Sequence, residues 1–322
     1  MQIYPIKFNP ILKEKIWGGN KLKTVLGKDT NKAQVGESWE VSDLQGCVSV
    51  VKNGPYQGCN LKQLIKTHKS EFLGTQNFED FGYNFPLLIK FLDAQTDLSV
   101  QVHPNNDMAK KHHNSLGKTE MWYIMDCDKN ADIVLGLKDK AADTRILSGI
   151  NSTNVDSVFN RTQVNKGDSY FIPAGKIHAI GAGVLVAEIQ QTSDITYRVY
   201  DWDREDDYGQ KRELHTKLAQ QATIPFDADG KSDYALSSND SANLVRCEYF
   251  TTNIMDISTS QEKNYRHLDS FVIFMCVEGQ VHVTAGNHSE TLKTGETLML
   301  PANTDQVTLN TDFAKLLEVY ID

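Results

Sequence analysis

The chain has 322 residues, a mass of 36.2 kDa and 40% hydrophobic residues, which is enough apolar material for two cores of ordinary domain size. Its formal net charge of -9 and its lack of a long basic run argue against a nucleic-acid partner, because neutralising a polyanion requires clustered Lys and Arg. The N-terminal residues lack the features of a signal peptide and no segment is apolar for long enough to cross a membrane, so we expect a cytoplasmic protein.

Most segments are short, rich in β-branched and aromatic residues, and bounded by Gly, Pro, Asn or Asp, which is typical of an all-β sandwich or barrel. The clearest predicted strands are 38–42, 48–51, 169–172, 271–277 and 280–284. Helical spacing predicts helices at 60–73, at 105–116 with Asn105 or Asn106 as the cap, and around 213–223. The fold class is therefore predicted to be dominated by β-strands, with a few short helices.

A repeated pattern links the two halves of the chain. Residues 167–178 and 295–306 both run through Gly, an acidic residue, strand formers, Pro and Ala in the same order, which indicates a duplicated β-barrel. The apolar periodicity lapses in between, so we predict a domain at 1–226, a linker at 227–243 and a domain at 244–322. Only the first copy ends in His178, so we expect a metal site in the first barrel alone. The second barrel is expected to shield edge strands of the first.

The five cysteines are widely spread and never form a C-x-x-C pair, which argues against a disulfide framework or a cysteine zinc site. We expect reduced thiols that pack as small buried apolar residues.

Three strand-like segments carry polar residues on one face. On a strand, alternate residues share a face, so Ser99, Gln101 and His103 point the same way. Lys118 and Glu120 form a second such set. Glu188 and Gln190 form a third set. The run 85–92, which precedes the first set, is apolar and indicates a sheet covered on both faces.

A barrel lined by His103, Glu120, His178 and Gln101 offers neutral imidazoles and hard oxygens, a set suited to zinc or another first-row divalent ion. A single strand histidine is more often an ordinary hydrogen-bonded residue than a ligand. The coincidence of such residues in separate strands of one barrel favours the metal site. The adjacent histidines 112 and 113 lie on a polar predicted helix and are expected to face solvent.

The segment Gly167-x5-Pro173-x-Gly175-x2-His178 resembles the second motif of the cupin superfamily, a double-stranded β-helix or jelly-roll barrel. The first cupin motif has His-x-His followed closely by Glu, whereas this chain has Gln101-x-His103 and places Glu120 after a predicted helix. That departure resembles type I mannose-6-phosphate isomerase, and in particular the short bacterial form. Further matching segments are 9–10, 17–19, 36–41, 118–122, 173–179, 188–194 and 196–201.

The resemblance implies a fold of two cupin barrels and a metal-dependent isomerase that interconverts mannose 6-phosphate and fructose 6-phosphate through a cis-enediol. It implies one zinc ion per chain, held by His103, Glu120 and His178, with Gln101 as fourth ligand. The partner is then a small sugar phosphate.

The resemblance makes Arg198 a catalytic residue, whose guanidinium stabilises charge or steers substrate oxygens. The alternative for Arg198 is a surface salt bridge with Asp201 or Asp203. We favour Glu188 as the base, because a buried carboxylate near a metal can be tuned for proton transfer. Lys118 competes for that role but is assigned, with the Ser99 hydroxyl, to the substrate phosphate. Lys176, which either binds substrate or is solvated in its loop, is left open.

Other interpretations remain open. A cupin-type glucose-6-phosphate isomerase or a metal-dependent dioxygenase would use the same barrel, although oxygenases of this fold normally keep the His-x-His pair. A non-catalytic sugar-binding or seed-storage-like bicupin is a third candidate, against which the retention of Arg198 and Glu188 argues. The sequence leaves open the physiological metal, the oligomeric state and the direction of the reaction in the cell.

Overall fold

Short antiparallel strands carry most of the chain, and the computed structural model describes residues 1–139, 143–206, 208–224, 226 and 229–322. The strands, in chain order, are β1 Ile6–Lys7, β2 Ile11–Gly19, β3 Val35–Val41, β4 Asp43–Leu44, β5 Cys47–Val48, β6 Leu87–Ala94, β7 Val100–Val102, β8 Glu120–Cys127, β9 Asp132–Leu137, β10 Phe159–Gln163, β11 Ser169–Ile172, β12 His178–Ile180, β13 Val184–Gln191, β14 Tyr197–Tyr200, β15 Ser241–Arg246, β16 Thr251–Ile257, β17 Gln261–Asn264, β18 Val272–Ala285, β19 His288–Lys293, β20 Thr297–Leu300 and β21 Gln306–Tyr320.

Helices are few and short. They are α1 Lys21–Thr24, α2 Leu61–His68, α3 Ser70–Leu73, α4 Thr75–Phe81, α5 Asn106–His113, α6 Val155–Val158 and α7 Thr216–Ala222, with 3-10 turns at Gly54–Tyr56 and Thr144–Gly149. No helix within the described ranges is long and apolar enough to cross a membrane.

The first barrel consists of two facing sheets. One has the strand order β11-β8-β13-β6-β2-β3 and the other the order β10-β9-β12-β7-β14. Apolar side chains from both sheets, among them Leu92, Ile124, Ile133 and Ile180, form a common core between them. This arrangement confirms the predicted cupin-type barrel.

The second barrel is one extended sheet in the order β1-β20-β18-β21-β16-β15, with β17 paired to β21 and β19 paired to β18. Its interior is a separate apolar core built from residues of its own strands. The N-terminal strand β1 pairs with β20 and so belongs to this sheet. The division into domains at 227–243 stays a prediction, and residues 227 and 228 of that linker lie outside the described residues.

The two barrels pack back to back through the outer face of the first sheet. Leu87, Ile89 and Phe91 of β6 share a core cluster with Ile273 of β18 and Leu317 of β21. The second barrel therefore covers a face of this sheet, and the shielding of edge strands stays a prediction. Both faces of β6 are buried, which explains why its sequence is almost continuously apolar.

The helix predictions are confirmed in place and corrected in detail. Asn60 caps α2 through a reciprocal pair of hydrogen bonds with Gln63. The predicted helix 60–73 is two helices, because Lys69 between them has a φ of 49° and interrupts the helical backbone. Asn105 is the cap of α5, since its side chain accepts the backbone N–H of Met108.

The strand predictions differ from the structure in two places. The segments 271–277 and 280–284 form one strand, β18, which passes through Gly279 at a φ of 75°. The segment 48–51 contributes only Val48 to β5, followed by isolated bridges at Val50 and Val51. The cysteines are free, as expected, but only Cys276 is buried and the other four are half-buried.

Candidate active site

A cavity of about 280 Å³ lies inside the first barrel at one end of its facing sheets. Its lining combines several cations, carboxylates and indoles with few aliphatic side chains: Lys15, Trp17, Glu37, Lys90, Leu92, Leu98, Ser99, Gln101, Lys118, Trp122, Ile180, Glu188, Asp194, Thr196, Arg198 and Arg212. A cavity of this composition suits a small, polar, anionic ligand.

His103, Glu120 and His178 converge beside this cavity from β8, β12 and the loop after β7. One ligand atom from each lies within 4.8 Å of the other two, and all three side chains are buried. The two Nε2 atoms are 3.1 Å apart, and each lies 3.4 Å from an oxygen of Glu120. The sequence prediction that these three residues meet in the first barrel is confirmed.

The backbone determines which nitrogen of each imidazole faces the cluster. Nδ1 of His103 lies 2.9 Å from the carbonyl oxygen of Ile195, and Nδ1 of His178 lies 2.8 Å from that of Lys176. Each Nδ1 therefore carries the ring proton and donates a hydrogen bond to a carbonyl oxygen, which leaves the Nε2 lone pair directed at the cluster. Burial, followed by the nearby Lys118 ammonium, lowers the pKa of His103 to about 3, and burial lowers the pKa of His178.

Glu120 supplies the anionic member of the cluster. Burial by itself raises a carboxyl pKa, but Lys118 and the two imidazoles outweigh it and hold the pKa of Glu120 below its ordinary value. Neither oxygen of this buried carboxylate accepts a hydrogen bond from any described residue. The cluster thus brings together two imidazole lone pairs and a carboxylate that accepts no hydrogen bond. This donor set fits a divalent metal ion.

Polar residues on or just before strands β7 and β8 extend the cluster. The amide nitrogen of Gln101 lies 3.4 Å from Nε2 of His178, and the Ser99 hydroxyl lies 3.4 Å from the amide oxygen of Gln101. Lys118 is buried with its Nζ 3.4 Å from Glu120. All three residues share the interior with the cluster.

Glu188 lies on β13 among charged and indole groups. Its Oε2 accepts the indole N–H of Trp122 at 3.0 Å, and its Oε1 lies 3.3 Å from Nζ of Lys90 without accepting a hydrogen bond. Burial, and then the charge of Glu120, raises the pKa of Glu188. The indole thus fixes one oxygen, while the other faces Lys90 without a hydrogen bond to a described residue.

Sequence reasoning missed Lys90 and Glu37, which both line this cavity. Nζ of Lys90 lies 3.8 Å from Glu37, whose other oxygen lies 2.9 Å from Nζ of Lys15. Burial opposes its charge, but the two carboxylates hold the pKa of Lys90 above its ordinary value. The available signal was a lysine inside the otherwise apolar run 85–92, since a buried ammonium requires a partner.

Arg198 lies at the cavity lining on β14, where its Nη1 donates to the carbonyl oxygen of Glu213 at 2.8 Å. The expected alternative, a salt bridge with Asp201 or Asp203, is not formed. Asp201 is paired with Arg204 and Arg212. Burial, and then the charge of Arg212, lowers the pKa of Arg198.

The remaining candidates lie outside the cavity lining. Lys176, whose role the sequence leaves open, is buried and its Nζ donates to the carbonyl oxygen of Asp229, which excludes the solvated alternative. His112 and His113 are exposed on α5, as expected, and Nε2 of His113 contacts the Tyr197 hydroxyl at 2.9 Å.

Comparisons with known proteins identify the family of the chain. Residues 6–138 match the family model of the phosphomannose isomerase type I catalytic domain, and residues 240–321 match that of the mannose-6-phosphate isomerase cupin domain. The mannose-6-phosphate isomerase ManA of Bacillus subtilis is 36% identical over 305 residues, which are 94% of each chain. The mannose-6-phosphate isomerase of Streptococcus mutans is 36% identical over 299 residues, 92% of each chain.

A solved structure supports the same assignment. The crystal structure of the mannose 6-phosphate isomerase from Bacillus subtilis superposes with a TM-score of 0.88 at 36% identity, covering 98% of this chain and 99% of that one. An Archaeoglobus fulgidus structure at 21% identity and a TM-score of 0.80 shares the fold. Together with the two family models, these relatives show that the chain belongs to the type I mannose-6-phosphate isomerase family.

Proposed function

We propose that the chain is a metal-dependent aldose-ketose isomerase that interconverts mannose 6-phosphate and fructose 6-phosphate through a cis-enediol. The observation that carries this proposal is the convergence of His103, Glu120 and His178 beside the polar cavity that Gln101, Lys118, Glu188 and Arg198 line. An isomerisation of this kind requires positive charge at two adjacent oxygens and a base beside the two carbons.

We assign the metal site to His103, Glu120 and His178, with the Gln101 side chain as the fourth ligand and one zinc ion per chain. Imidazole nitrogen and carboxylate oxygen are the donors that zinc accepts in catalytic sites. When bound, the ion supplies positive charge that stabilises the oxygens on C1 and C2 as negative charge develops there. The backbone carbonyls of Ile195 and Lys176 hold both imidazoles ready for it.

Glu188 is our proposed base. The Trp122 indole orients its carboxylate, and Oε1 accepts the proton from C2 of mannose 6-phosphate and returns it to C1. Its raised pKa makes it a stronger proton acceptor than an exposed glutamate. Lys118 is the competing candidate for this role.

The substrate phosphate is assigned to Lys118 and Ser99, and a substrate oxygen to Arg198. Lys118 is a buried cation of the lining, 3.4 Å from Glu120, and the half-buried Arg198 donates to a backbone carbonyl oxygen rather than to a carboxylate. The sugar phosphate is the one partner we propose, and a cytoplasmic location stays a prediction from the sequence.

A coupled assay tests the function directly. We expect isomerisation of mannose 6-phosphate to exceed that of glucose 6-phosphate, to stop after dialysis against a chelator, and to return with added zinc. Preference for glucose 6-phosphate would favour the rival isomerase, and activity unaffected by chelation would refute the metal mechanism.

A further inference from the structure

Four side chains form a row across paired strands, and three of them, Lys90, Glu188 and Trp122, line the cavity. Trp39 on β3 lies opposite Lys90 on β6, Lys90 lies opposite Glu188 on β13, and Glu188 lies opposite Trp122 on β8. Directly opposed residues share a face of the sheet, and this face is the interior one. The strand register therefore places one buried ammonium beside the proposed base.

Glu37 completes the row from a position two residues before Trp39. Its Oε2 accepts the Trp39 indole N–H at 2.5 Å, as Oε2 of Glu188 accepts that of Trp122 at 3.0 Å. Lys90 thus stands between two carboxylates, each oriented by an indole, at 3.8 Å from Glu37 and 3.3 Å from Glu188. Its side chain is 4% exposed, so water does not screen this competition.

Lys15 balances the outer carboxylate. Its Nζ lies 2.9 Å from Oε1 of Glu37, and its side chain is 32% exposed at the rim of the cavity. The charges alternate from rim to interior as cation, anion, cation, anion. Removing the charge of Lys15 or of Glu37 therefore changes the electrostatic field at Glu188 without removing any group in contact with the Glu188 carboxylate.

We propose that Glu37 is a positioning residue of the isomerase, which draws the Lys90 ammonium partly away from Glu188 and thereby keeps the Glu188 carboxylate a competent base. This inference rests on the proposed function. Glu37 acts through Lys90 and is not itself placed at the reacting carbons.

The sign of the effect follows from the charges that face Glu188. These are Lys90 from β6, Glu37 from β3, and Glu120 and Lys118 from β8 and the residues before it. A Glu37→Gln change removes one negative charge and leaves Glu188 as the nearest carboxylate paired with Lys90, so the pKa of Glu188 falls. A Lys15→Met change leaves the negative charge of Glu37 unbalanced, so the pKa of Glu188 rises.

The test compares pH profiles of the full-length, zinc-loaded protein. We expect Glu37→Gln to lower kcat roughly tenfold, because a weaker base transfers the proton more slowly, and to move the acidic limb of kcat/KM to lower pH. Lys15→Met is expected to move that limb to higher pH. Glu14→Gln, which breaks an exposed ion pair with Lys32, is the matched control and is expected to leave the profile unchanged.

A second readout does not depend on turnover. Infrared pH titration of the carboxyl band, assigned by subtracting the Glu188→Gln spectrum, should report the same opposite shifts. If the pKa of Glu188 did not change, or changed in the same direction in both variants, the role of Glu37 would be overturned. The same result would identify a Glu37→Gln variant that is only less stable. If the unmodified chain failed to isomerise mannose 6-phosphate, the proposed function would fall, and the infrared titration would still decide whether Glu37 controls Glu188.

Discussion

The two barrels pair equivalent strands in the same register but carry different residues at the equivalent positions. Strand β11 meets β8 at Ile172 and Glu120, and the repeated strand β20 meets β18 at Leu300 and Val272. Val272 therefore occupies in the second barrel the position that Glu120 occupies in the first. Counting along the same ladders, Phe274 and Glu318 stand where Trp122 and Glu188 stand.

The comparison shows what separates a site from a core. The Glu318 carboxylate receives the Tyr265 hydroxyl at 2.6 Å, the Asn253 amide at 2.9 Å and Lys263 at 3.0 Å. Glu120 and one oxygen of Glu188, by contrast, accept no hydrogen bond from the described residues. A buried carboxylate whose bonds are complete stabilises the fold, whereas an unpartnered one remains available to a ligand.

The largest expected effect comes from replacing the proposed metal ligand His178 with the residue at the matching place of the second barrel. His178→Gln gives the first barrel the residue that the second has at Gln306, and we expect bound zinc to fall to background and kcat/KM to fall about 10³-fold. Metal analysis and the coupled assay measure both. Gln306→His, the reciprocal control, should gain no zinc, because Val272 supplies no carboxylate beside it; zinc uptake there would contradict the comparison.

The paired glutamates should separate chemistry from stability. Glu188→Gln is expected to lower kcat about 10²-fold, since the proton acceptor is lost. Glu318→Gln should leave kcat unchanged and lower the free energy of unfolding by about 1–3 kcal/mol, because an amide cannot accept bonds from all three donors. Urea unfolding monitored by circular dichroism tests the second value. A loss of activity in Glu318→Gln without destabilisation would show that the second barrel takes part in the reaction.

A smaller effect is expected from the indole. Trp122→Phe makes the first barrel resemble Phe274 of the second and removes the N–H bond to Glu188 while keeping most of the packing. Hydrogen bonds to a charged group contribute about 1.5–3 kcal/mol, so we expect kcat to fall about tenfold or somewhat more. A fall in kcat in a variant that circular dichroism shows to be folded would support orientation of the base, whereas a change in KM alone would contradict it.

Much of the candidate site could be predicted from the sequence, because the proposed metal ligands occur in segments with recognisable alternation and motif spacing. His178 and Gln306 stand at matching places of the repeat, and this difference predicted a metal site in the first barrel alone. The second barrel's Glu318 could not be paired with Glu188 in this way, since the repeat ends before both residues.

The Glu37 and Lys90 network escaped prediction for a physical reason. Its members come from β3, β6 and β13, whose register depends on which strands become neighbours and not on local spacing. The helix break at Lys69 is similar, because the local pattern through 60–73 is helical and the interruption appears only in the folded backbone.

The back-to-back packing of the barrels has a consequence for what the chain can lose. The sheet that carries Lys90 and Glu188 inward carries Ile89 and Phe91 outward, against the second barrel. Removing the second barrel would expose these apolar side chains to water, so we expect the first barrel alone to be unstable or poorly soluble. The second barrel thus gives structural support to the back of the sheet that carries the proposed base.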